Sequence, residues 1–281
     1  MITGKTKIVG IIGCPLGHSL SPLIHNAAFA ALELDYAYIP LPVQPDDLGQ
    51  VVTGLKTMGF VGANVTIPHK VTIMPYLDEL DASAQLAGAV NTIVITAGRS
   101  IGYNTDAQGF IHSLTTKSIP VKGKTAVIMG AGGAARAVIC GLAAAGIDRI
   151  IIGTRSAAKL QEFVKLLPEK TTIQGYDWHG EDFVNALTQC DILINCTPIG
   201  MSSSLEVQLP IHWKDVKSTA IVCDLIYNPP VTQFLADAQS RGHRTMNGAG
   251  MLVEQGALAF ELWTKEKAPR SIMFAILSKI T

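Results

Sequence analysis

The stretch Thr125–Ala145, TAVIMGAGGAARAVICGLAAA, constrains the fold of this chain more than any other. Thr125–Met129 reads as a buried strand, and Ala134–Ala145 reads as a helix of small residues that Gly146 ends. Gly130-Ala131-Gly132-Gly133-Ala134-Ala135 joins them and fits the pattern GxGxxA. A bare match of this kind is weak, but strand before and helix after give it meaning. Gly130 permits a tight turn, Gly132 lets the backbone approach a pyrophosphate, and Ala135 allows close helix–strand packing. The helix start then offers free N–H groups and a positive partial charge to phosphates. A strand–loop–helix unit binding a dinucleotide is therefore expected here, with Gly133 and Ala134 completing the loop.

The next strand, Arg149–Gly153, runs into Thr154-Arg155-Ser156. Sites for the unphosphorylated dinucleotide usually place an acid here for the ribose diol, whereas an arginine attracts a 2′-phosphate. Thr154 and Ser156 add hydroxyls, and Lys159 adds charge one helical turn on. The pattern favours NADP.

Between Lys124 and Asp148 the only charge is Arg136, over a length that would reach across a bilayer. The glycines fall where a strand–loop–helix unit needs them, which argues against a membrane span. Lys plus Arg equals Asp plus Glu at 22 each, so no general attraction to nucleic acid or anionic membrane exists. A small-molecule partner is expected, and the sequence leaves a homodimer open. Five cysteines without a CxxC pair, together with an opening MITGKTKIVGIIG too short and glycine-broken for a secretion signal, point to a reducing, cytoplasmic setting.

Strand-like and helix-like runs alternate along the whole chain, which implies βαβ units and a mainly parallel sheet. Lys7–Ile12, Tyr36–Pro40 and Gly62–Thr66 read as strands. Ser21 to about Leu34, Pro45–Met58 and Asp78–Ala87 read as helices, the first capped by Ser21 with Pro22 in its first position. Asn91–Thr96 and Ser100–Tyr103 form a hairpin around Gly98. Ser156–Leu167 is helical, Asp191–Asn195 and Ala220–Leu225 are strands, and residues from Gly250 onward are helical with a break near Pro269. The polar stretch Thr115–Lys122 marks a domain boundary.

Polar residues in the first part gather at element ends, where α/β sheets collect binding groups. Ser19 and Ser21 flank a helix start and could converge on a carboxylate. Asn64-Val65-Thr66-Ile67-Pro68-His69-Lys70 ends a strand in polar residues. Asn91 and Thr92 precede the next strand, and Asn104 and Asp106 precede a helix. Taken singly, the asparagines are ordinary turn residues and Asp106 an ordinary cap. A shared site and a set of separate turns are equally compatible with these residues alone.

The series SLSP, NVTIPHK, GAVNT, GYNTD, GAGGAAR, the Thr154-Arg155 pair, NCTPIGM, DLIYNP and NGAGMLVEQGALAF occurs in one order over nearly the whole chain. That series resembles the shikimate dehydrogenase family. The resemblance implies an α/β protein of two domains: an N-terminal substrate domain (1–114 and 239–281) and a Rossmann-type NADP-binding domain (115–238), with C-terminal helices returning to the first. It implies that Ser19 and Ser21 hold a substrate carboxylate. Asn64, Thr66, Asn91, Asp106 and Gln255 would hold ring hydroxyls, and Tyr227 would lie near both ligands. Lys70, paired with Asp106, would serve proton transfer. The cofactor would meet Gly130, Ala131, Gly132, Gly133, Ala134, Thr154, Arg155, Ser156, Lys159 and Gly248. The family often carries Asn-Arg-Thr and a further arginine where this chain has Thr154-Arg155-Ser156 and Lys159.

The implied reaction reduces 3-dehydroshikimate to shikimate with NADPH. Rival readings are a quinate/shikimate dehydrogenase using NAD or NADP, and a non-catalytic NADP-binding regulatory module. The seven histidines show no ligand spacing, so no metal is expected.

Overall fold

A computed structural model describes residues 2–154, 171–201 and 208–279. The chain divides into two compact units, Met1–Gly109 with Val253–Ile280, and Phe110–Leu252.

The first unit is built on β1 (Lys7–Gly13), α1 (Ser21–Ala31), β2 (Tyr36–Pro42), α2 (Leu48–Thr57), β3 (Gly62–Val65), β4 (Glu79–Leu80), α3 (Ala82–Ala87), β5 (Thr92–Thr96) and β6 (Arg99–Tyr103). Its sheet order is β2-β1-β3-β5-β6-β4. β1 pairs parallel with β2 and β3, and β4 parallel with β6, whereas β5 runs antiparallel to both β3 and β6. The sheet is thus mixed. A two-residue turn at Ala97 and Gly98, both with positive φ, reverses the chain between β5 and β6, the geometry that matches strand twist. Leu48, Val52, Leu55, Val65, Val90 and Ile93 form the core over one face.

Local departures from the sequence reading have local causes. Helix α1 stops at Ala31, short of Leu34, because Glu33 turns left-handed at φ 53°. Its first hydrogen bond runs from Ile24 N–H to Leu20 C=O, so the cap falls on Leu20 and Ser21 makes no capping bond. The run 78–81 is not helical. The Asp78 carboxylate accepts from Ser100 N–H and Oγ–H, both at 2.7 Å, and draws Glu79–Leu80 into the sheet beside β6. Asp81 then caps α3 by accepting from Ser83 N–H.

The second unit carries β7 (Thr125–Met129), α5 (Gly133–Ala144), β8 (Arg149–Thr154), β9 (Thr172–Asp177), α6 (Glu181–Leu187), β10 (Ile192–Asn195), β11 (Ile221–Asp224), α7 (Gln233–Ser240) and β12 (Thr245–Met246). The helix α4 (Asp106–Thr116) and the helix α8 (Ala249–Thr264) hold the two division points of the chain, and α9 (Arg270–Leu277) follows. The strand order is β12-β11-β10-β7-β8-β9 and every pairing is parallel. Counted from β7, that is the doubly wound order 3-2-1-4-5-6. Its central strands β7, β10 and β11 are largely apolar, as strands covered on both faces require; Val127, Met129, Leu193, Val222 and Phe183 lie in its core. Because β12 pairs with β11, residues 239–252 cluster with this unit, whereas the sequence reading sets the boundary at 238. The expected helix Ser156–Leu167 lies outside the described residues. Among the described residues no helix is long and apolar enough to cross a membrane.

Candidate active site

In the second unit the parallel register brings Met129 level with Gly153 on one side and Asn195 on the other. The Gly130 loop, Thr154 and Cys196 therefore leave the sheet along one carboxyl edge. Strand order reverses between β7 and β10, the crevice where open α/β sheets bind nucleotides. Gly130 has φ 98°, and a side chain there would press on Thr197. Among the described residues, nothing beside Gly132 and Gly133 lies within 4 Å of where a Cβ would stand. Gly132 caps α5 without a side-chain bond, which leaves backbone N–H groups at the helix start for a phosphate. These residues fit a dinucleotide. Gly248 has a packing reason of its own: a Cβ there would come within 1.9 Å of Leu225 O. Arg155, Ser156 and Lys159 lie outside the described residues, while Thr154 is buried at the end of β8.

One buried acid at this edge was not singled out by the sequence reading. Asp224, fully buried, accepts from Thr232 Oγ–H (2.6 Å), Asn195 Nδ2–H (3.0 Å) and Ile226 N–H (3.0 Å). Asn195 Oδ1 in turn accepts from Thr197 N–H and Oγ–H. The acid thereby ties the strand ends to the loop beside Gly130. A lone carboxylate in the apolar run IVCDLI was the available signal, since acids are almost never fully buried without partners. Burial pushes its carboxyl up to about 6 against these hydrogen bonds. A carboxyl whose folded pKa exceeds its unfolded one binds a proton more tightly when folded. The native state is therefore penalised above pH 6 and relieved as pH falls from about 6 towards 4, by on the order of 3 kcal/mol. Asp224→Asn keeps two acceptor bonds and can donate to Thr232, so it should raise stability at pH 8 relative to wild type. The difference should shrink as pH falls to 5. Calorimetric Tm values across pH 5–8 for both proteins check this; a constant difference would refute it. Tyr227, three residues on, is half-buried, and burial raises its phenol.

In the first unit the scattered polar residues form one connected system. Lys70 Nζ donates to Asp106 Oδ2 at 2.5 Å, and Asn91 Nδ2 donates to Asp106 Oδ1 at 2.8 Å. Asn91 Nδ2 also reaches Gln255 Oε1 at 3.4 Å. The Asp106 side chain is 8% exposed and that of Lys70 22%, so the pair is largely withdrawn from solvent. Lys70 is brought there by Val90 N–H donating to its carbonyl (2.7 Å). The capping role read for Asp106 falls instead to Asn104, whose Oδ1 accepts from Asp106 N–H at 3.1 Å. That leaves both carboxylate oxygens of Asp106 for Lys70 and Asn91.

Asn64 is buried at the end of β3. It donates to Asn91 C=O (3.2 Å) and Thr92 Oγ (3.1 Å) and accepts from Tyr38 Oη–H (2.7 Å). Ser21 is buried at the start of α1. Thr66 is half-buried after Asn64; its methyl group would collide with any side chain at Gly13, which fixes the close passage of the two loops. Ser19 is half-buried in a turn closed by its N–H on Leu16 C=O. Asn64, Asn91, Asp106, Lys70 and Gln255 are thus linked. Thr92 and Thr105, from the polar clusters before β5 and α4, belong to the same system, and so does Tyr38, which the sequence does not single out. Tyr38 sits where its position reads as strand core, so no local signal marks it.

The first unit can present hydroxyl and amide groups around a buried ammonium–carboxylate pair, and the second a phosphate-binding loop. Among the described residues no cluster of His, Cys, Asp and Glu is arranged to hold a metal. Comparison with known proteins agrees in kind. Residues 11–93 match the shikimate dehydrogenase substrate binding domain, 113–210 the shikimate/quinate 5-dehydrogenase family, and 248–273 the shikimate 5′-dehydrogenase C-terminal domain. A shikimate dehydrogenase (NADP(+)) of Desulforamulus reducens is 44% identical, over 99% of this chain and 97% of that protein. A crystal structure of a shikimate dehydrogenase in complex with NADP+ superposes with TM-score 0.92 at 43% identity, covering 100% of this chain and 98% of the other. The ligand-free 5-ketofructose reductase of Gluconobacter sp. strain CHM43 superposes at 0.89 with 35% identity, covering 99% and 100%. With both halves and the whole length matched, the chain belongs to the shikimate dehydrogenase family.

Proposed function

We propose that this protein catalyses the reversible NADPH-dependent reduction of 3-dehydroshikimate to shikimate. The observation that carries the reading is the Lys70–Asp106 pair, 2.5 Å apart and braced by Asn91. NADPH held along Gly130–Ala134 would supply the hydride for the carbonyl carbon. The protein must then manage the charge that develops on the carbonyl oxygen. Lys70 as an ammonium stabilises that oxygen and gives it a proton, and solvent restores the proton to Lys70. Asp106 holds the ammonium in place, and Asn91 holds Asp106. Ser19 and Ser21 take the carboxylate. Asn64, Thr66, Asn91 and Gln255 orient the ring through its hydroxyls, and Tyr227 serves both ligands. Five cysteines that form no disulfide support a cytoplasmic setting.

Absorbance of the reduced nicotinamide, followed with shikimate and quinate and each with NADP+ and NAD+, tests the reading. Activity confined largely to shikimate with NADP+ is expected. Comparable rates with quinate or NAD+ would overturn the specificity, and no turnover of either acid would overturn the function. Arg155→Ala should raise KM for NADP+ by roughly 10–100-fold, the worth of charge-assisted bonds to a phosphate. KM for NAD+ should change by less than about threefold, because that ligand has no 2′-phosphate. Equal losses for both would remove Arg155 from phosphate recognition.

A further inference from the structure

The hydrogen-bond system of the first unit has a direction, and unambiguous groups at its ends set it. Asn91 C=O can only accept, so the group of Asn64 facing it is the NH2. Its second N–H goes to Thr92 Oγ. Both amide protons are then used within the protein. Asn64 Oδ1 consequently faces Tyr38, whose phenol proton can only be donated to it, at 2.7 Å. Thr92 Oγ–H donates onward to Asn91 Oδ1 (3.0 Å), which also accepts from Thr105 N–H (2.8 Å). A backbone N–H cannot accept, so Asn91 must turn its NH2 to Asp106. The orientation of both amides follows from partners that cannot exchange roles, not from an assigned rotamer.

We propose that Tyr38 is a positioning residue for substrate recognition, whose hydroxyl holds in place the Asn64 amide oxygen that Asn91 C=O and Thr92 leave as an acceptor, and so selects a substrate hydroxyl that donates to it. This rests on the proposed function, in which Asn64 faces a ring hydroxyl. Asn64 has one lone pair of Oδ1 left after Tyr38, and no proton to give. A ligand group that can only accept, such as a ketone or an ether, finds no partner there. Tyr38 is itself held rigidly. Its backbone N–H donates to Asn26 Oδ1 and its carbonyl accepts from Asn26 Nδ2, both at 2.9 Å. Its ring stacks on His25 with centroids 4.4 Å apart and planes within 1°, and Trp263 packs against both. Burial depresses the His25 imidazole to about 3, so the stacked partner is neutral in the working range. The hydroxyl therefore has little freedom to seek another acceptor.

Tyr38→Phe removes the hydroxyl and keeps the stacked ring. Its KM for shikimate should rise at least tenfold, with the loss falling on KM more than on kcat and with KM for NADP+ unmoved. Calorimetric titration with shikimate and with shikimates lacking one ring hydroxyl is the decisive measurement. On wild type, one of these analogues should bind at least tenfold more weakly than shikimate; on Tyr38→Phe that ratio should fall below threefold. General structural damage would weaken all ligands alike and leave the ratio intact, which would overturn the proposal. Failure of the wild type to bind shikimate would overturn the functional reading beneath it. Should Tyr38→Phe lose the wild-type circular dichroism spectrum, Thr92→Val frees a proton of Asn64 from the other side. It must lower the same ratio, and an unchanged ratio in that variant refutes the proposal.

Discussion

Lys70→Ala lowers kcat by about 10²–10⁴-fold, the usual scale for a general acid, while KM for NADP+ stays within about threefold. The substituted side chain leaves Asp106, 8% exposed, without its cation. Part of the loss would otherwise be ascribed to disorder of that carboxylate, because removing one member of a buried pair strands the other. Asn91 nevertheless still donates to Asp106 Oδ1, and Asn104 still caps the helix through Asp106 N–H. The helix start should remain in place. Stopped-flow single turnovers separate the step itself from product release. A fall in kcat with an equal fall in kcat/KM means an interaction made only in the transition state has gone. Near-normal turnover in this variant would take Lys70 out of the chemistry.

Gly62→Ala unfolds or severely weakens the first unit, although Gly62 belongs to no proposed binding site. It lies in the middle of the sheet, opposite Val94. A Cβ there would stand 2.1 Å from Ile93 O and 2.5 Å from Trp263 Nε1. Neither neighbour is free to give way. Trp263 Nε1–H donates to that same Ile93 O at 2.9 Å, and its ring is wedged against His25 and Tyr38. The clash therefore falls on backbone and a locked ring. Overpacking of this kind costs about 3 kcal/mol or more, and Tm should fall by roughly 10 °C. Thermal melts followed by circular dichroism check this. A variant melting within about 2 °C of wild type would mean that the tryptophan can withdraw at little cost.

Gly62 also illustrates how far the sequence carries. A glycine inside a strand signals close approach by something, but only the fold reveals that the something is an indole 201 positions later. Local patterns were legible where local physics decides: the apolar run Thr125–Met129, the small-residue helix after Gly130, and the hairpin at Gly98. They failed where a distant partner outbid propensity, as when Ser100 drew Asp78 and the following residues out of a helix and into the sheet.

The same division runs through the site. The types and order of residues already pointed to a glycine loop for phosphates, an arginine after the second strand of that unit, and a lysine and an aspartate in polar clusters. Those features are properties of short segments, and backbone conformation plus chemistry suffice to read them. Why Asp106 is free of capping duty, and how Tyr38 and Thr92 meet the amides of Asn64 and Asn91, were decided by tertiary structure alone. Each depends on a hydrogen bond between residues brought together from different strands and helices, such as Tyr38 to Asn64 or Asn91 to Asp106. A buried polar atom must find a partner wherever the fold supplies one, and no segment of sequence names a partner that lies outside it.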